Sequence, residues 1–211
     1  MKLIDENSLP KISQKLARRD PHLRVIYKKY GPPPLWARPA GFATVLKIIL
    51  EQQVSLASAQ ACFDKLAKRL EIIAPDRLVA LTDAELKTIG FSRQKAGYAR
   101  HVSEALLEKR VDLDVIATLP DADAKTELLK LKGVGEWTAD IYLLMALLRP
   151  DVMPRGDLAL HVSWQKLMSA ANRPTSEEFL AIAERWRPFR SIAARLLWHF
   201  YLSERSNGRK S

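Results

Sequence analysis

The sequence predicts an all-α protein, and three observations carry that expectation. Apolar residues recur at helical spacing along almost the whole chain, with no sustained period of two. Helix-capping signals stand at the heads of these runs. The connections between them are short. Asp20-Pro21 reads as an N-cap followed by proline at the first helical position. Leu23, Ile26 and Tyr30 then share one face. Gly31 to Pro39 is proline-rich and reads as an extended connector. Phe42, Val45, Leu46, Ile49 and Leu50 form the next stripe, which runs into Glu51-Gln52-Gln53-Val54-Ser55. Ser55 is placed to cap a helix carrying Leu56, Ala59, Phe63, Leu66 and Leu70. Thr82-Asp83-Ala84-Glu85 is a capping box, with Gly90 as the stop. Ser92 opens a long basic helix to about Arg110. Thr175 to Glu178 is a second capping box, leading into Phe179, Ile182 and Trp186, and the last helix carries Ile192, Leu196 and Phe200. The expected total is roughly ten helices, with no fixed-period repeat.

Composition narrows the function. The 211 residues are 47% hydrophobic, enough for a real core and too many for a disordered chain. One cysteine excludes a disulfide framework, a four-thiolate zinc site and an all-cysteine iron–sulfur cluster. His22, His101, His161 and His199 lack metal-ligand spacing, and Cys62 lies on an apolar helix face. No apolar run reaches the roughly 18 residues of a membrane span. The N-terminus has no signal-peptide core, so an intracellular protein is expected, in the cytoplasm or nucleoid of a bacterium or the nucleus of a eukaryote. The net charge of +10 sits at the ends: residues 1–30 hold 8 basic and 3 acidic groups, residues 184–211 hold 7 and 2, and the middle balances. A polyanionic partner and plain solubility both account for that.

The stretch Leu128-Leu129-Lys130-Leu131-Lys132-Gly133-Val134-Gly135-Glu136-Trp137-Thr138-Ala139 is the most informative. A short amphipathic helix ends at a tight Gly-Val-Gly turn and a second helix starts at once. The two glycines are expected to permit positive φ and to let backbone amides approach a partner with no Cβ in the way. Amides at a helix N-terminus favour an anion, and a phosphate diester fits there without base readout.

This segment resembles the helix-hairpin-helix of the DNA base-excision glycosylases, and Met153-Pro154-Arg155-Gly156-Asp157-Leu158 resembles the loop and Asp that follow it in that superfamily. The branch it resembles is 3-methyladenine DNA glycosylase II, the alkylpurine glycosylases. Ile48 to Ser55 is similar to that branch's I-L-x-Q-Q-V-S block, Gly90 to Tyr98 to its G-x-S-x-x-K-A-x-Y block, and Ala183 to Ser191 to its A-E-x-W-x-P-x-R-S block. The match runs from about residue 40 to 202. The resemblance leaves no room for the N-terminal β-rich domain of some relatives.

The resemblance implies two helical subdomains with a DNA cleft between them. Residues 42–150 would form a helical bundle containing the hairpin at about 123–149. Residues 1–41 would pack with a C-terminal subdomain, 151–211, that begins with the catalytic Asp loop. Asp157 becomes the catalytic candidate, because an ionised carboxylate stabilises the oxocarbenium-like sugar as the base leaves. It also precedes an apolar helical run, Leu158 to Met168, so an N-cap role is compatible. Gln53 matches the residue that inserts into the duplex when a nucleotide is flipped. Trp137 and Trp198 match pocket tryptophans suited to a cationic base, while Trp36, Trp164 and Trp186 read as core. Tyr142 is a further pocket candidate, one position beyond Ile141, where relatives carry tyrosine. Lys132, Gly133, Val134, Gly135, Thr138, Ser92 and Lys95 are the implied DNA contacts. The carbonyls of Leu129, Leu131 and Val134 match positions that hold a monovalent cation in the superfamily; no other metal and no cofactor is implied.

The expected function is that of a monofunctional glycosylase, acting as a monomer on double-stranded DNA containing 3-methyladenine or 7-methylguanine. The competing readings are a helix-hairpin-helix glycosylase for oxidised, deaminated or mismatched bases, and a non-catalytic DNA-binding protein.

Overall fold

The computed structural model describes residues 3–207; the end of the basic tail, 208–211, lies outside the described residues. The elements are α1 (Ser8–Arg19), α2 (Pro21–Tyr30), α3 (Phe42–Glu51), α4 (Leu56–Leu70), α5 (Pro75–Val79), α6 (Asp83–Ile89), α7 (Arg93–Leu107), α8 (Leu113–Thr118), α9 (Asp121–Leu129), α10 (Glu136–Met145), α11 (Leu158–Leu167), α12 (Ser176–Ala183) and α13 (Arg190–Asn207), with a 3-10 turn at Glu184–Trp186. The described residues are therefore all-α, with thirteen α-helices where roughly ten were expected. The difference lies in short pieces such as α5 and α8, of five and six residues, too short to display a helical period.

The chain forms two compact units, residues 38–147 and residues 1–37 with 148–211. In the first, α3 is buried along Val45, Leu46, Ile48, Ile49 and Leu50 and packs against α4, α7 and α10. Each such side chain stabilises the unit by about 1.5–3 kcal/mol. The capping box at Thr82 and Glu85 fixes the start of α6, and Gly90 ends it at φ +116. Ser92 then caps α7 by accepting from Lys95 N–H.

In the second unit α13 packs on α1, α2 and α11. Asp20 caps α2 through His22 and Leu23 N–H, and its other oxygen accepts the Trp186 indole N–H at 2.8 Å. Trp186 is 1% exposed and meets the edge of buried Trp164. Arg190 is ion-paired with Asp151 at 3.0 Å, and Ser191 Oγ both accepts from Val152 N–H and donates to Val152 carbonyl. The block from Ala183 to Ser191 thus anchors the strand of chain that leads to Asp157.

Candidate functional site

Asp157 sits at the head of α11, after Gly156 in a left-handed conformation at φ +73. Its Oδ1 accepts the Leu160 N–H at 3.0 Å and the Trp198 indole N–H at 3.1 Å. The residue is an N-cap, and the same two bonds aim its carboxylate. Asp157 is 8% exposed. Trp198 is buried and spends its indole N–H on this contact, so it orients the carboxylate.

The ring of Trp36 stands edge-on to Trp198, 6.5 Å between centroids. Trp36 is half-buried with φ +49, which corrects its assignment to the core; Trp164 and Trp186 are buried. A single Trp within a proline-rich connector carries no sequence signal of this. His161, one turn along α11, is 8% exposed, stacks at 4.9 Å on Phe179, and has no hydrogen-bond partner for Nε2. Burial lowers its pKa, against the opposing pull of the Asp157 carboxylate. It lines a cavity of about 590 Å³ with Gly156, Leu158 and Arg173.

The other candidates lie in the unit 38–147. α9 and α10 are the arms of the hairpin, braced by Lys125, whose ammonium pairs with Asp140 at 2.8 Å and also with Glu136. Leu131 and Val134 are buried beneath the turn, and Lys132 is exposed on it. Gly133 takes φ +94, with the Tyr98 side chain where a Cβ would go. Gly135 differs from expectation: its φ is −95, and a Cβ there meets open space. Only Gly133 needs glycine for the backbone. Gly135 is the N-cap of α10 and makes no side-chain cap bond, so the first turn of α10 begins with amides that no side-chain cap covers. Trp137 is half-buried in that first turn.

Three expected contacts turn inward. Thr138 is 3% exposed and its hydroxyl accepts the Gln52 amide at 2.8 Å, so what it can offer a phosphate is its backbone N–H. Lys95 directs its ammonium onto the carbonyls of Leu50 and Gln52, at 2.6 and 2.9 Å, and burial lowers its pKa. Tyr142 is 1% exposed and its hydroxyl accepts the Gly41 N–H at 2.9 Å, which makes it a core residue and not a pocket wall. Burial raises its pKa. Ser92 spends its hydroxyl on the α7 cap. Gln53 is exposed at φ +55 in the turn after α3. The carbonyls of Leu129, Leu131 and Val134 are oxygen donors, the type that hard cations take. The Leu131 carbonyl accepts the Val134 N–H at 2.9 Å and keeps a second lone pair.

A hairpin of two helices whose second arm starts at a glycine with no side-chain cap bond, and a carboxylate capping a later helix, are the features of a helix-hairpin-helix protein. The family model for the HhH-GPD superfamily of base excision DNA repair proteins matches residues 46–188, and the chain belongs to that superfamily. It is 28% identical over 180 residues to the alkylbase DNA glycosidase-like protein mag2 of Schizosaccharomyces pombe, covering 82% of this chain and 84% of that one. It is 26% identical over 195 residues to the DNA-3-methyladenine glycosylase of Bacillus subtilis, covering 87% of this chain and 64% of that one. It therefore spans less than two thirds of the length of the Bacillus relative. The fold is also that of the S. pombe 3-methyladenine DNA glycosylase Mag1, solved in complex with abasic DNA: TM-score 0.80, 24% identity, 89% of this chain and 95% of that chain.

Proposed function

We propose that the protein is a monofunctional DNA glycosylase that removes alkylated purines from double-stranded DNA, as a monomer inside the cell. The observation that carries this reading is Asp157, a carboxylate held at a helix N-terminus by the Leu160 amide and the Trp198 indole. The hairpin amides at Gly135 to Thr138 grip a backbone phosphate. Gln53 fills the space left by the flipped nucleotide. The half-buried rings of Trp137 and Trp36 are the aromatic surfaces proposed for the extruded base, and buried Trp198 serves by holding Asp157.

As the N-glycosidic bond breaks, its electron pair leaves with the base and positive charge develops on the sugar. The Asp157 carboxylate stabilises that charge and orients the attacking water, which forms the new bond to C1′ and loses a proton. A base already cationic through ring alkylation leaves neutral, without an acid to protonate it. Duplexes carrying single lesions should therefore lose 3-methyladenine or 7-methylguanine faster than neutral lesions. The base-release assay on methylated DNA is the direct test. Faster release of uracil or 8-oxoguanine than of either methylpurine would move the protein to another lesion class.

The product is expected to be an intact strand with an abasic site. In the bifunctional branch that the hairpin resembles, a lysine at the position of Trp137 attacks the sugar to form a Schiff base. The indole of Trp137 has no available lone pair for that. Borohydride added during turnover should trap no covalent protein–DNA species. A trapped complex that disappears in Lys132→Ala would identify Lys132 as a nucleophile and overturn the water mechanism.

A further inference from the structure

Within the unit 38–147, the turn that carries Gln53 is held from two sides. α3 ends at Glu51, and Gln53 follows in the left-handed region, which a residue with a Cβ occupies only when its surroundings impose it. From beneath, Lys95 binds the carbonyls of Leu50 and Gln52 at 2.6 and 2.9 Å. From the side, Gln52 Nε2 donates to the Gly133 carbonyl and to Thr138 Oγ1, both at 2.8 Å. A carbonyl only accepts, so the bond to Gly133 fixes which end of the Gln52 amide faces the hairpin. Both N–H groups of that amide are used, one on each side of the Gly133-Val134-Gly135 turn. Tyr98, three residues beyond Lys95 on α7, packs against Gly133. One helix thus supports both the hairpin turn and the turn that carries Gln53.

We propose that Gln52 is a positioning residue that locks the Gln53 turn to the hairpin, so that phosphate grip and insertion into the duplex act as one rigid body, with Lys95 as the support beneath. This rests on the reading of the hairpin as the phosphate clamp and of Gln53 as the inserted residue. Of two adjacent glutamines, one touches the duplex and the other sets its place. Gln52 never meets the nucleic acid; it acts through Gln53.

The experiment uses Gln52→Met, which keeps the side-chain length and removes the donors, alone and combined with Gln53→Ala. Three quantities are read: affinity for an undamaged duplex, fluorescence of a 2-aminopurine at the target position as a chemistry-free report of unstacking, and single-turnover release of 7-methylguanine. Gln52→Met should keep undamaged-duplex affinity within about threefold of wild type, a small change on the scale of a lost phosphate contact. Unstacking and base release should fall about tenfold or more, the loss of the two hydrogen bonds that align the turn. In the Gln53→Ala background the same change should alter unstacking less than about twofold, because coupled residues are non-additive. Fully additive losses, or equal losses of affinity and unstacking, would overturn the coupling. Should Gln52→Met fold poorly, Thr138→Val removes one acceptor and must give the same signature. A wild-type protein that unstacks the probe but releases no methylated base refutes the glycosylase reading and leaves the coupling standing. One that never unstacks the probe sinks both.

Discussion

Asp157→Asn should lower single-turnover release of a methylated purine by two orders of magnitude or more, with DNA affinity and folding retained. Two donors converge on Oδ1, from Leu160 and Trp198, and an asparagine carbonyl oxygen accepts both. Asparagine is also as good an N-cap as aspartate. The thermal midpoint should therefore stay close to wild type. What disappears is the negative charge facing the developing oxocarbenium, and loss of such an electrostatic stabiliser costs about 2.7 kcal/mol or more, a hundredfold in rate. Asp157→Ala is the poorer test. It strips the cap and leaves the buried Trp198 and Leu160 N–H groups without this acceptor, so stability falls by about 1–3 kcal/mol and confounds the kinetics. Near wild-type release by the asparagine variant would leave Asp157 as a helix cap and nothing more.

The sequence foretold what is set within a few residues of chain. The boxes at Thr82 and Thr175, the Asp20-Pro21 start and the Ser55 and Ser92 caps are all i to i+2 or i+3 bonds, and all form. Where a side chain points depends on distant neighbours, which residue type and spacing do not specify. α10 is buried at every position from Thr138 to Leu144, so its sequence has no polar face to separate Tyr142 from Ile141. Lys95 and Thr138 are residue types that touch phosphates, yet here they close hydrogen bonds inside their own unit. Nothing local distinguishes Gln52 from Gln53; the end of α3 decides which of the pair faces the hairpin. Residue type alone puts Trp36 in the core, and its exposure and its place against Trp198 are set from a helix some 160 residues further on.

The second large effect concerns the two hairpin glycines, which should fail in different ways. Gly133→Ala forces a Cβ onto φ +94 and places it 2.6 Å from Tyr98 Cβ and Cδ2, nearer still to Cγ. Strain of about 1 kcal/mol adds to an overpacking cost of about 1–3 kcal/mol, so the protein should lose several degrees of thermal midpoint. Tyr98→Ala in the same chain should recover the packing part and not the strain. Gly135→Ala meets neither penalty, since φ −95 is ordinary and the space beyond is open. Its folding should change by less than about 1 kcal/mol. The methyl group instead occupies the approach of the phosphate to the amides of α10. Affinity should fall for every duplex alike, with Gly135→Val on the order of tenfold weaker, about 1.4 kcal/mol. Wild-type affinity should drop steeply with added salt, because gripping phosphates releases counterions, and the valine variant should show a shallower slope. Titrations at several salt concentrations and thermal melts of the four variants decide the matter. Gly135→Val binding as wild type does, or wild-type affinity indifferent to salt, would remove the phosphate clamp from the mechanism.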